Sequence, residues 1–64
     1  MQNQGTYMQL ADTVRAACIR AALDGYQQAS ISGLCHEGAF EAAVDAMRML
    51  DLDTLLQAQR DAEA

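Results

Sequence analysis

Cys35, His36 and Glu37 stand side by side, a run that combines a thiol, an imidazole and a carboxylate. Such groups make a metal site or a nucleophile–base pair when they converge on one point. On a helix they diverge, because neighbouring side chains point about 100° apart. Zinc sites use four ligands, often with two residues between cysteines or three between histidines. Here there is one histidine, and the other cysteine is Cys18. With a turn near residue 31, Cys18 lies about 18 Å from that turn along one helix and Cys35 about 6 Å along the next. The two thiols are therefore not expected to meet within a chain. No catalytic, cofactor or metal site is expected within one subunit. The alternative is a small-ligand or metal sensor whose site is shared across a dimer by His36, Cys35, Arg15 and Glu37.

Taken singly, these residues have plainer readings. Cys35 near a helix N-terminus would gain thiolate character from the helix dipole. Its helical neighbours Ala39, Ala42 and Ala46 instead predict a buried structural thiol. His36 falls among Phe40, Ala43 and Met47, which predicts a hydrogen-bonded core histidine, with a pH-sensitive or ligand-facing role as the alternative. Arg15 projects among Met8, Ile19, Ala22 and Tyr26, the wrong side for a surface arginine. It either snorkels to water or meets a carboxylate near an interface, with Glu37 the candidate. A buried pair of that kind fixes register more than it adds stability. Glu37, Glu41 and Asp45 form an acidic face, either solvated or addressed to a basic partner protein.

These side chains need helices to hold them. Thirteen alanines and few β-branched residues favour an all-α chain. A first helix is expected from Tyr7 to Ala29, with Asp12–Arg15 and Arg20–Asp24 at pairing distance along it. Ser30-Ile31-Ser32-Gly33 reads as a turn in which Ser32 or Ser30 caps the second helix, which runs to about Leu50. Asp51 caps a short third helix, Leu52 to Arg60, with Leu50 and Leu55 at the spacing of a hydrophobic staple. Residues 1–6 and 61–64 are expected to be loose ends of a single domain spanning 1–64.

The helical wheels carry more than the boundaries do. The first two helices are apolar around most of their girth, whereas a surface helix needs a stripe somewhat over 100° wide. Two such helices cannot cover each other, and the third offers only Leu52, Leu55 and Leu56. Exposing the remainder would leave a larger patch than soluble monomers tolerate. The expected architecture is two long antiparallel helices plus a short third, paired across a twofold into a homodimeric helical bundle. Ala17, Ala21 and Ala22 facing Ala39, Ala42, Ala43 and Ala46 would draw the helices to the short end of the usual spacing, about 8–10 Å. Phe40, Met47, Met49, Leu10 and Tyr26 would then fill the ends and the dimer seam. A break of the first helix near Gly25, giving a compact three-helix monomer, is the competing fold.

Length and charge bound the function. Sixty-four residues leave no room for a catalytic domain beside a cofactor domain. Net charge is −5, with four scattered arginines and no lysine, so the clustered cations that phosphate backbones require are missing and nucleic acid is not an expected ligand. No run approaches 18 apolar residues, so no membrane span is expected. The N-terminus lacks the pattern of a signal peptide, and two cysteines make no disulfide framework; a reducing, cytoplasmic setting is expected.

Two resemblances complete the reading. Acyl carrier proteins are also small, acidic and helical, and attach their prosthetic group to a serine following an aspartate at a helix start. Asp51-Leu52-Asp53-Thr54-Leu55 has no serine there, which sets that family aside. The segment Gly33-Leu34-Cys35-His36-Glu37-Gly38-Ala39-Phe40-Glu41, continuing through Met47-Arg48, resembles the centre of short uncharacterised bacterial helical proteins, a resemblance that implies no mechanism. The function expected is that of a non-enzymatic homodimeric helical module that binds or modulates another protein.

Overall fold

The computed structural model describes residues 4–63, and the described residues are all-α: α1 spans Gln4–Ile31, α2 His36–Arg48 and α3 Leu52–Glu63. Helix α1 starts earlier than expected, so Gln4, Gly5 and Thr6 are helical rather than loose. The expected loose residues 1–3 and 64 lie outside the described residues. Similarly, α3 continues to Glu63, past the expected end at Arg60.

Gly33 ends α1. It takes φ +97°, a left-handed conformation that costs glycine little and most residues a good deal. Around it the Gly33 amide donates to the Ser30 carbonyl and the Leu34 amide to the Ala29 carbonyl, each at 3.0 Å. This is a Schellman closure, in which residues past the helix end satisfy its last carbonyls. That closure overturns the expected serine cap. Ser32 Oγ donates back to the Gln28 carbonyl, Ser30 is still inside α1, and α2 begins only after Cys35, which makes no side-chain cap bond. Asp51 does cap α3. Its Oδ1 accepts from the Thr54 amide at 3.1 Å and its Oδ2 from the Thr54 hydroxyl at 2.7 Å.

Helix α1 does not break at Gly25; the glycine is where α2 crosses. A Cβ built there would lie 3.0 Å from the Ala42 carbonyl oxygen, 3.0 Å from Ala46 Cβ and 3.3 Å from Ala43 Cα. The small residues thus set the helix spacing, with Gly25 at the point of closest approach. Among the described residues the buried positions are alanines, Ala29, Ala39 and Ala43, of which Ala39 is fully buried, and no large side chain is wholly enclosed.

The whole is a rod of 49 × 17 × 14 Å. Helix α1, about 42 Å long at 1.5 Å per residue, runs its length. Helix α2 returns from the turn to the middle of α1, and α3 then touches α1 but not α2. The two shorter helices therefore follow one another along the long one. This is no compact three-helix monomer. Its radius of gyration is 14.7 Å, against about 11 Å for a globular chain of this length.

Candidate functional site

The turn end of the rod and the flank below it hold most of the residues singled out in the sequence. Tyr26 projects from α1 towards the start of α2, where His36 is the first helical residue. The Tyr26 hydroxyl and His36 Nδ1 are 2.6 Å apart, and the rings meet edge to face at 5.7 Å and 68°. With the ring neutral and its proton on Nε2, the hydroxyl donates to Nδ1. His36 is hydrogen-bonded as expected, but it is exposed rather than in the core. It keeps Phe40 and Met47 as neighbours along α2, but that side is a flank open to water, because only the small-residue face of α2 packs on α1.

Cys35 departs from expectation for another reason. It precedes the helix, so Ala39, Ala42 and Ala46 do not enclose it, and the thiol is free and exposed rather than buried. What Cys35 does contribute is its carbonyl, which accepts from the Ala39 amide at 2.8 Å. Cys18 is a free, half-buried thiol on α1, seven residues before Gly25 and so on the same side of the helix.

Arg15 does not meet Glu37. It reaches Asp12 at 2.8 Å, both side chains exposed. Glu37 lies at the turn end, and sixteen residues of helix, about 24 Å, separate Arg15 from Ile31 at that end. The other arginines on the first two helices also pair locally, Arg20 with Asp24 at 3.6 Å and Arg48 with Asp45 at 3.3 Å. Exposed pairs of this kind contribute under about 1 kcal/mol each.

Phe40 stands one turn beyond His36 and is 60% exposed. Open grooves lie on either side of it, one lined by His36, Glu37 and Glu41, the other by Glu41, Val44, Asp45 and Arg48. Met47 follows two turns further along the same flank, also exposed. Of the seven candidates, Tyr26, His36, Phe40 and Met47 share this flank and Arg15 continues it along α1. Cys35 and Glu37 sit at the turn and on the outer edge of α2. Among the described residues no group of three His, Cys, Asp or Glu side chains converges as a metal site, and no helix is long and apolar enough to cross a membrane. Sequence reasoning missed Gly25. Its signal was the recurrence of small residues at Cys18, Ala21, Ala22, Gly25 and Ala29, every three or four positions.

Comparison of the chain with protein-family models, with curated proteins and with solved structures finds no match.

Proposed function

We propose that this chain is a non-enzymatic assembly module: it pairs with a second copy into a helical bundle, and the bundle presents its acidic edge to another protein. The observation that carries the reading is the surface left uncovered. The rod exposes 5103 Å², whereas a folded monomer of this mass exposes about 4,000 Å². The excess, about 1,100 Å², is of the size one partner loses in a stable protein–protein interface, about 800 Å² or more. Much of the exposed surface is apolar, with Ile19, Leu23, Phe40 and Met49 each more than half exposed.

Glu37 and Glu41 lie on the outer edge of α2, away from α1, and stay in water when the rods pair. Their charge suits a basic segment on a partner protein, since complementary potentials favour encounter and reject wrong partners. Sedimentation equilibrium and thermal melts over a concentration series test the pairing. A mass of twice the 6.9 kDa chain and a Tm that rises with concentration are expected. A monomer whose Tm does not depend on concentration overturns the reading.

A further inference from the structure

We infer that one flank of the rod, carrying Ile19 and Tyr26 from α1 with Phe40 and Met47 from α2, closes on the same flank of a second copy and encloses the Arg15–Asp12 ion pair. This inference rests on the pairing proposed above and adds which surface pairs.

The Tyr26–His36 hydrogen bond identifies which side of α1 lies beside which side of α2. From Tyr26 towards the N-terminus, helical spacing on that side gives Ile19, then Arg15, then Met8. From His36 onward on α2 it gives Phe40 and then Met47. The two helices thus present one continuous flank, on which Met8 and Ile19 are more than half exposed as well as Phe40. The opposite flank is more polar along its length. On α1 it carries Thr13, Arg20, Asp24 and Gln28 beside Leu10 and Ala17, and on α2 Gly38 and Asp45, with its large exposed apolar residues, Ile31 and Met49, at the ends of the two helices. A twofold interface brings a patch against itself, and an apolar patch is self-complementary in a way that a charged one is not.

Two features favour a second copy over a lipid surface. Helices that lie on membranes carry Lys and Arg on their polar faces, and this chain has no lysine and a net charge of −5. The uncovered area also matches a protein interface, and one chain supplies both halves.

The ion pair makes the inference specific. Arg15 lies within the apolar flank, and Asp12 neutralises it in advance. Enclosing a paired charge costs far less than enclosing a lone one, because removing one partner leaves the other buried and uncompensated. The Arg20–Asp24 pair belongs to the opposite flank and stays in water. Two similar surface pairs therefore differ in their effect on association.

Sedimentation equilibrium on the full chain and its variants tests this. Ile19→Asp and Phe40→Asp are expected to raise the dimer dissociation constant at least tenfold, while Ile31→Asp, outside the flank, leaves it unchanged. Asp12→Asn weakens association and Asp24→Asn does not. Circular dichroism reports helix content for each variant. A measurement on the unaltered chain removes any dependence on variant folding: a soluble paramagnetic agent should spare the methyl signals of Ile19 and Met47 and broaden those of Ile31 and Met49. A wild-type chain that is monomeric overturns the pairing itself. A wild-type dimer that persists in Ile19→Asp and Phe40→Asp, or that shields Ile31 and Met49 instead, overturns the choice of flank while leaving the pairing intact.

Discussion

Replacing Gly25 by alanine tests the packing logic of the rod most directly, because propensity and packing oppose each other there. In a helix interior alanine is ordinarily about 0.8–1.0 kcal/mol better than glycine. At Gly25 the added methyl would stand 3.0 Å from the Ala42 carbonyl oxygen and from Ala46 Cβ, and 3.3 Å from Ala43 Cα. Carbon atoms prefer about 3.5–4.0 Å. None of the three atoms sits at the end of a rotatable side chain, so relief requires α2 to move outward as a body. Overpacking of this sort costs about 1–3 kcal/mol. Set against the propensity gain, the net effect runs from near zero to about 2 kcal/mol of lost stability. Gly38 supplies the internal control. A Cβ there meets Leu34 Cδ2 at 3.1 Å, but Leu34 is exposed and can turn aside, so Gly38→Ala keeps its gain of up to about 1 kcal/mol. The difference between the two variants largely cancels propensity and isolates the crossing at about 1–3 kcal/mol. Each kcal/mol moves Tm by about 4–8 °C in a domain of this size. Melts should be compared at one chain concentration, because any association raises Tm with concentration. A Gly25→Ala chain that melts at or above Gly38→Ala would refute the account of α1 and α2 as helices held apart only by small residues.

Further outcomes follow from the same contacts. Ala43→Leu should destabilise by about 1–3 kcal/mol, read by denaturant titration, since Ala43 is buried with its Cα against Gly25; unchanged stability and unchanged mass would count against the packing. Asp51 is held below the ordinary carboxylate range by the Thr54 hydroxyl first and then by the Thr54 amide, against a smaller opposing effect of desolvation. A depressed carboxylate contributes stability above its unfolded pKa and loses it as pH falls through the folded one. Helix α3 should therefore loosen first in acid, below about pH 4, as followed by α3 amide signals, and Thr54→Val should move that loss to higher pH. A double-mutant cycle on Tyr26→Phe and His36→Ala should return a coupling of about 0.5–1.5 kcal/mol; zero coupling would mean the 2.6 Å contact adds nothing in solution.

Much of this architecture was legible because it rests on local rules. Asp51 capping α3, the Asp12–Arg15 and Arg20–Asp24 pairs and the all-α content each depend on residues within one turn of each other. The errors cluster where the answer depends on a distant element. Two serines before a glycine satisfy the composition of an N-cap, but Gly33 turned left-handed and Ser32 was drawn back to close α1. That moved the start of α2 to His36 and left Cys35 outside the helix, away from its alanine face, while His36 stays beside Phe40 and Met47 on a side of α2 that is open to water. Arg15 shares a side of α1 with Ile19 and Tyr26, yet its partner is decided by reach: Asp12 is one turn away, and Glu37 sits at the turn end of the rod. Gly25 reads as a helix breaker from propensity alone, and only the position of α2 reveals that a side chain there would crowd Ala42, Ala43 and Ala46.

The alanine core and the exposed flank have one cause. Helices that cross at Gly25 and Ala43 come so close that only small residues fit between them, so the larger apolar side chains are pushed to the sides. Alanines bury little area each, and hydrophobic stabilisation scales with area at about 25 cal/mol per Å², so the crossing alone is a thin source of stability. Because α2 and α3 lie end to end rather than stacked, nothing among the described residues covers the flank. On the proposed pairing, the second copy supplies the apolar cover that the crossing lacks, so folding of the chain is tied to association. Obligate dimers commonly lack a stable folded monomer. Unfolding and dissociation should then be one event: dilution that separates the chains should also reduce their helix content, and a fully helical monomer at low concentration would show that the small-residue crossing suffices by itself.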